Sequence, residues 1–79
     1  LVLRKKEFAL FEILFVNLNN ILPRETIFEK IWADKLETGR ESLDSHIYSL
    51  RKKLKVFLPQ VKIRMIKNIG YVMEIETND

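Results

Sequence analysis

The sequence predicts an α+β domain in which three helices are followed by a C-terminal β-hairpin. Three observations predict it. Apolar residues recur at helical spacing in three stretches, two alternating stretches close the chain, and Asn68-Ile69-Gly70 lies between those two. The chain has 79 residues, enough for one core and one domain over 1–79. Hydrophobic residues make up 47% and charged residues 32%, an ordinary globular mix. No apolar run approaches the ~20 residues of a spanning helix, so no membrane segment is expected. The absence of cysteine excludes disulfides and cysteine-ligated zinc and fits a reducing compartment. One histidine, His46, and two glycines leave no multi-histidine hydrolase site and no glycine loop for phosphate. No nucleophile, base and orienting group can be assembled, so neither enzymatic activity, metal nor cofactor is expected. The first residue is leucine and no signal-peptide pattern follows, so the chain reads as a piece of something longer.

The first helix is expected over 5–18. Phe8, Leu10, Phe11, Ile13, Leu14, Phe15 and Val16 make it apolar on nearly every side, interrupted by Glu7, Glu12 and Asn17. Such a helix must be covered on nearly every side, so Phe8, Phe11 and Phe15 are expected in the core, with an upstream segment packing on the remainder. Asn19 and Asn20 tolerate turn backbone and end it. A second helix is expected over 23–32. Pro23 suits its first position, and Glu25 and Glu29 suit the positive end of its dipole; that role outweighs a catalytic carboxylate pair. Ile27, Ile31 and Phe28 are assigned to its inner side.

The third helix, over 41–55, is the most informative. Leu43, Ile47, Leu50 and Leu54 recur at spacings of four, three and four and form one buried stripe. The opposite face carries Glu41, Ser45, Tyr48, Ser49 and Lys52, with His46, Arg51 and Lys53 on the flanks. Pro59 stops the helix. Strands are expected over 62–67 and 71–76. Asn68 and Gly70 both accept positive φ in the turn, and Tyr71, Met73 and Ile75 share a face.

Charge is placed unevenly. Residues 51–67 hold Arg51, Lys52, Lys53, Lys55, Lys62, Arg64 and Lys67 and no acid, whereas residues 1–50 are nearly neutral and 68–79 are acidic. A basic block of this kind is either a polyanion footprint or a solvated helix end. Three helices and a hairpin form a winged helix-turn-helix layout. A helix about 10–12 Å across fits the major groove of B-form DNA, roughly 12 Å wide. Small serines let the third helix approach base edges, Tyr48 and Lys52 reach bases or phosphates, and Lys67 and Asn68 at the hairpin tip reach the adjacent minor groove or backbone.

These residues resemble the OmpR/PhoB-type winged-helix effector domain of bacterial two-component response regulators. The matching strings are Leu3 with Glu7-Phe8, Arg24-Glu25 with Ile31-Trp32, Leu43-Asp44-Ser45-His46-Ile47 running into Leu50-Arg51-Lys52-Lys53-Leu54, and Ile63 and Ile66 with Gly70-Tyr71. The resemblance implies DNA contacts from Ser42, Ser45, His46, Tyr48, Ser49 and Arg51, a phosphate contact from the Trp32 indole N–H, wing contacts from Lys67 and Asn68, and Tyr71 near the DNA backbone. For Trp32, core packing is the competing assignment; for His46, an interhelix hydrogen bond. The resemblance also implies a cytoplasmic regulator with an N-terminal receiver domain, double-stranded DNA as partner, RNA polymerase touched by the loop at 33–39, and a homodimer on DNA. Of the family's N-terminal sheet, only a last strand over 1–3 is expected here. Relatives carry arginine where this chain has Glu41, Tyr48, Ser49 and Lys67, threonine at Met65, glycine at Asn68, and a Ser/Thr cap at Pro23. These departures imply an altered target sequence. Two alternatives stay open: a winged helix used for protein contact, and the DNA-binding domain of a membrane-anchored regulator without a receiver.

Overall fold

The structure, a computed structural model, describes residues 2–32 and 43–77. These residues form α1 (Lys5–Val16), β1 (Leu22–Pro23), α2 (Arg24–Ile31), α3 (Leu43–Phe57), β2 (Val61–Ile66) and β3 (Gly70–Ile75). The helices pack around one core, closed by an antiparallel sheet of order β1-β3-β2.

Helix α1 begins where Glu7, in its first turn, accepts the Arg4 backbone N–H at 2.9 Å. It ends two residues earlier than the sequence pattern implied. The Asn17 amide donates to the Ile13 carbonyl at 2.8 Å, and Asn19 turns left-handed at φ 67°. The Asn19 N–H then bonds the Met73 carbonyl at 2.8 Å, tying this corner to β3. Leu10 and Leu14 are fully buried, whereas Phe8 and Phe15 are 54% and 49% exposed. The expectation that Phe8, Phe11 and Phe15 are core therefore fails for two of them. Phe11 alone of the three packs against the core, and Phe15 stacks on Phe11 with centroids 5.7 Å apart. The expected strand at 1–3 is not formed by its described residues, 2 and 3.

Strand β1 was not legible in advance. Leu22 pairs with Tyr71 and Pro23 with Gly70. Proline lacks an N–H and is tolerated because β1 is an edge strand. Pro23 is the residue before α2 rather than its first helical residue, at φ −61° and ψ 147°, and it supplies no side-chain cap. The orphan N–H of Arg24 is satisfied instead by the Ile69 carbonyl at 3.0 Å. On α2, Ile27 is buried, while Phe28 turns outward and stacks on Trp32 with centroids 5.1 Å apart.

Helix α3 buries all four stripe residues, Leu43, Ile47, Leu50 and Leu54, and runs two residues beyond its expected C-terminus before Pro59. Its expected start at 41–42 lies outside the described residues. Strands β2 and β3 each begin one residue earlier than expected and pair in register Ile66↔Gly70 to Val61↔Ile75. Tyr71 and Met73 are buried, but Ile75 is exposed at the far end. The turn divides its work between two residues. Asn68 takes the left-handed backbone at φ 66°, while Gly70 has no positive φ. Gly70 is needed for close approach: a Cβ there would collide with the Leu22 carbonyl and come within 2.9 Å of the Pro23 Cα.

Candidate nucleic-acid interface

The stripe that anchors α3 fixes which of its side chains face outward. Ser45, Tyr48 and Lys52 are exposed, one turn apart along the outer ridge. Tyr48 is 63% exposed, and the Lys52 ammonium sits 5.4 Å above its ring. Lys67 and Asn68 are exposed at the hairpin tip.

The flanks of α3 are engaged with the body. Ser49 is half-buried, and its hydroxyl donates to the Glu7 carboxylate on α1. It is therefore less exposed than the outer ridge where the sequence pattern put it. Glu7 is 1% exposed and also accepts from the Lys53 ammonium at 2.6 Å. Burial alone would raise its pKa; the bonds from Lys53, Ser49 and the Arg4 N–H outweigh burial and lower it to about 2. On the opposite flank the Arg51 Nε donates to the Ile63 carbonyl at 2.8 Å, and its guanidinium lies 6.0 Å from the Tyr71 ring centroid. Tyr71, expected near the DNA backbone, is 2% exposed, and its hydroxyl donates to Asp44. Burial first, then Asp44, pushes that phenol up. Arg24 Nη1 reaches the same Asp44 oxygen at 2.5 Å. Arg24 and then the Tyr71 hydroxyl hold the Asp44 carboxyl below its ordinary range.

Trp32 is 5% exposed, with the half-buried His46 edge-on to it at 5.1 Å and the Lys6 ammonium 5.6 Å from its centroid. It packs in the core, yet its buried indole N–H has no hydrogen-bond partner among the described residues. Ser42 and the loop at 33–39 lie outside the described residues. Among the described residues no group of three potential metal ligands assembles. No described helix is long and apolar enough to cross a membrane.

Sequence reasoning missed Glu7, Lys53, Asp44 and Arg24. A carboxylate inside an otherwise apolar run was the available signal for Glu7, because a charge on a buried face needs a partner. Nothing local pointed to the Arg24–Asp44–Tyr71 cluster, whose members are far apart in the chain.

Three helices, a basic wing and an exposed polar ridge define a winged-helix domain of the DNA-binding class. The chain belongs to the family described as "Transcriptional regulatory protein, C terminal", which it matches over residues 1–73. It is 34% identical over 73 residues to the response regulator ArlR of Staphylococcus epidermidis, covering 92% of this chain and 33% of that protein. It is 37% identical over 73 residues to the transcriptional regulatory protein QseB of Escherichia coli O157:H7, covering 92% of this chain and 32% of that one. The chain thus spans about a third of the length of these relatives. Among solved structures, the C-terminal domain of the nisin resistance regulator NsrR superposes with a TM-score of 0.79 at 22% identity, over 98% of this chain and 78% of that one. The DNA-binding domain of Bacillus subtilis CssR gives 0.61 at 26% identity, over 91% and 77%.

Proposed function

We propose that this domain binds double-stranded DNA sequence-specifically, as the output domain of a cytoplasmic two-component response regulator in bacterial transcription control. One observation carries the reading. The exposed ridge of α3, Ser45-Tyr48-Lys52, and the exposed wing tip, Lys67-Asn68, leave two projections suited to a groove and its flanking phosphates. In the acid-free stretch 51–67, Lys53 and Arg64 are paired with Glu7 and Glu74, and Arg51, Lys52, Lys55, Lys62 and Lys67 supply the positive field. The reading assigns Trp32 a phosphate contact through its indole N–H, which has no hydrogen-bond partner among the described residues. The reading includes a receiver domain elsewhere in the full-length protein, polymerase contact through 33–39, and pairing of two copies on DNA.

Binding-site selection from random duplex DNA, followed by amide shift mapping, tests it. Shifts are expected at 45–52 and 67–70; shifts confined to 5–20 would refute it. Lys52→Ala and Lys67→Ala should each flatten the slope of log K against log salt by about one unit where the lysine meets a phosphate. An unchanged slope for both removes them from the interface. Protein contact is the second reading, favoured by exposed Phe8 and Phe15. Pull-down with a receiver domain or polymerase, set against a gel shift on promoter fragments, separates the two.

A further inference from the structure

The Arg24–Asp44–Tyr71 cluster joins three elements at one carboxylate oxygen. Asp44 lies in the first turn of α3, Tyr71 on β3, and Arg24 at the start of α2. Arg24 is held a second time, by its backbone N–H on the Ile69 carbonyl in the wing turn. One residue thus ties the wing to the first turn of α3, through its main chain on one side and its guanidinium on the other. Gly70 lets β1 lie against the base of that turn, so the connection is short. Arg51 also lies over the Tyr71 ring and bonds to β2. Arg24 and Asp44 are about half exposed, and ion pairs that exposed add little to stability. The cluster fixes geometry instead. Asp44 precedes Ser45 directly and Tyr48 by one turn, at the end of α3 closest to the wing brace.

We propose that Asp44 is a positioning residue for DNA recognition: with Arg24 and Tyr71 it sets the wing against the reading face of α3, so that both projections engage one duplex together. Asp44 touches no phosphate, since its own charge would be repelled. It acts through Lys67 and Asn68. The proposal rests on the DNA-binding reading, and its test has one arm that needs no DNA.

In the DNA arm, Lys67→Ala is measured on the selected duplex in the native and Asp44→Ala backgrounds. Lys67→Ala is expected to weaken native binding about fivefold but the Asp44→Ala domain less than about twofold, because a wing no longer held in register has little contact left to lose. Equal factors in both backgrounds would overturn the proposal, since a general loss of stability leaves the two changes additive. In the second arm, amide hydrogen exchange is followed in Asp44→Asn and Tyr71→Phe, which keep side-chain shape. The Arg24 amide is expected to exchange at least about tenfold faster, while the Leu50 and Leu54 amides stay unchanged. An unchanged Arg24 amide overturns the brace. If the native domain selects no duplex, the DNA reading falls and the exchange arm alone decides whether the brace exists.

Discussion

Replacing Leu50 by alanine is expected to lower the unfolding free energy by about 3 kcal/mol. Leu50 is fully buried on α3, in the cluster formed with Leu10, Leu14, Ile27 and Met73. Removing its side chain forfeits burial and leaves a void that the surrounding helices and strands only partly close. A domain of this size has roughly 4–12 kcal/mol in total, so the loss is a large share of it. The urea midpoint should fall while the denaturant slope stays constant, and Tm should drop by roughly 15 °C. Val56→Ala, on the exposed side of the same helix, is the control and should stay within about 0.5 kcal/mol. A loss below about 1 kcal/mol at Leu50 would mean that the stripe does not anchor α3.

The second large effect is expected in acid. Glu7 has a folded-state pKa of about 2 against an ordinary value of 4.5. A depressed carboxyl contributes stability that is fully present above pH 4.5 and is lost as pH falls from 4.5 toward 2. Because Glu7 is 1% exposed, screening by water is weak and the contribution is about 3 kcal/mol. Asp44, also depressed, acts in the same direction. Glu7→Gln removes the charge opposite Lys53 and leaves an uncompensated ammonium against the body. It should cost about 3 kcal/mol at pH 7 and flatten the acid limb. Unfolding free energies at pH 7, 5 and 3 for both proteins check this. A native curve that stays level from pH 5 to 3 would sink the assignment.

Much of the fold could be read from local pattern. The four-three-four spacing of Leu43, Ile47, Leu50 and Leu54 defined α3 because one amphipathic stripe constrains a whole helix. The hairpin followed from alternation around Asn68. Strand β1 escaped because two residues carry no periodicity; only the approach of Gly70 to Leu22 reveals it. The aromatic residues of α1 misled because hydrophobicity argues for burial while the helix has only one buried side. Within the candidate interface, Ser45, Tyr48, Ser49 and Lys52 lay on the predicted outer face, and Ser45, Tyr48 and Lys52 are exposed. Ser49 lies on the side of that face where α1 packs, and it is half-buried there. Its partner Glu7 is forty-two residues away in sequence, so only the tertiary fold brings them together. Likewise only the tertiary fold brings the exposed Arg51 to the Ile63 carbonyl and the buried Tyr71 to Asp44.

The exposed rings along α1 carry a consequence for the bench. Dyes such as anilinonaphthalene sulfonate brighten on accessible greasy surface and are commonly taken to report loosened, molten packing. Phe8 and Phe15 offer such surface on a domain whose centre is closed. Fluorescence enhancement with this polypeptide would therefore signal a sticky flank, and only loss of near-ultraviolet dichroism from Trp32 would signal a melted interior.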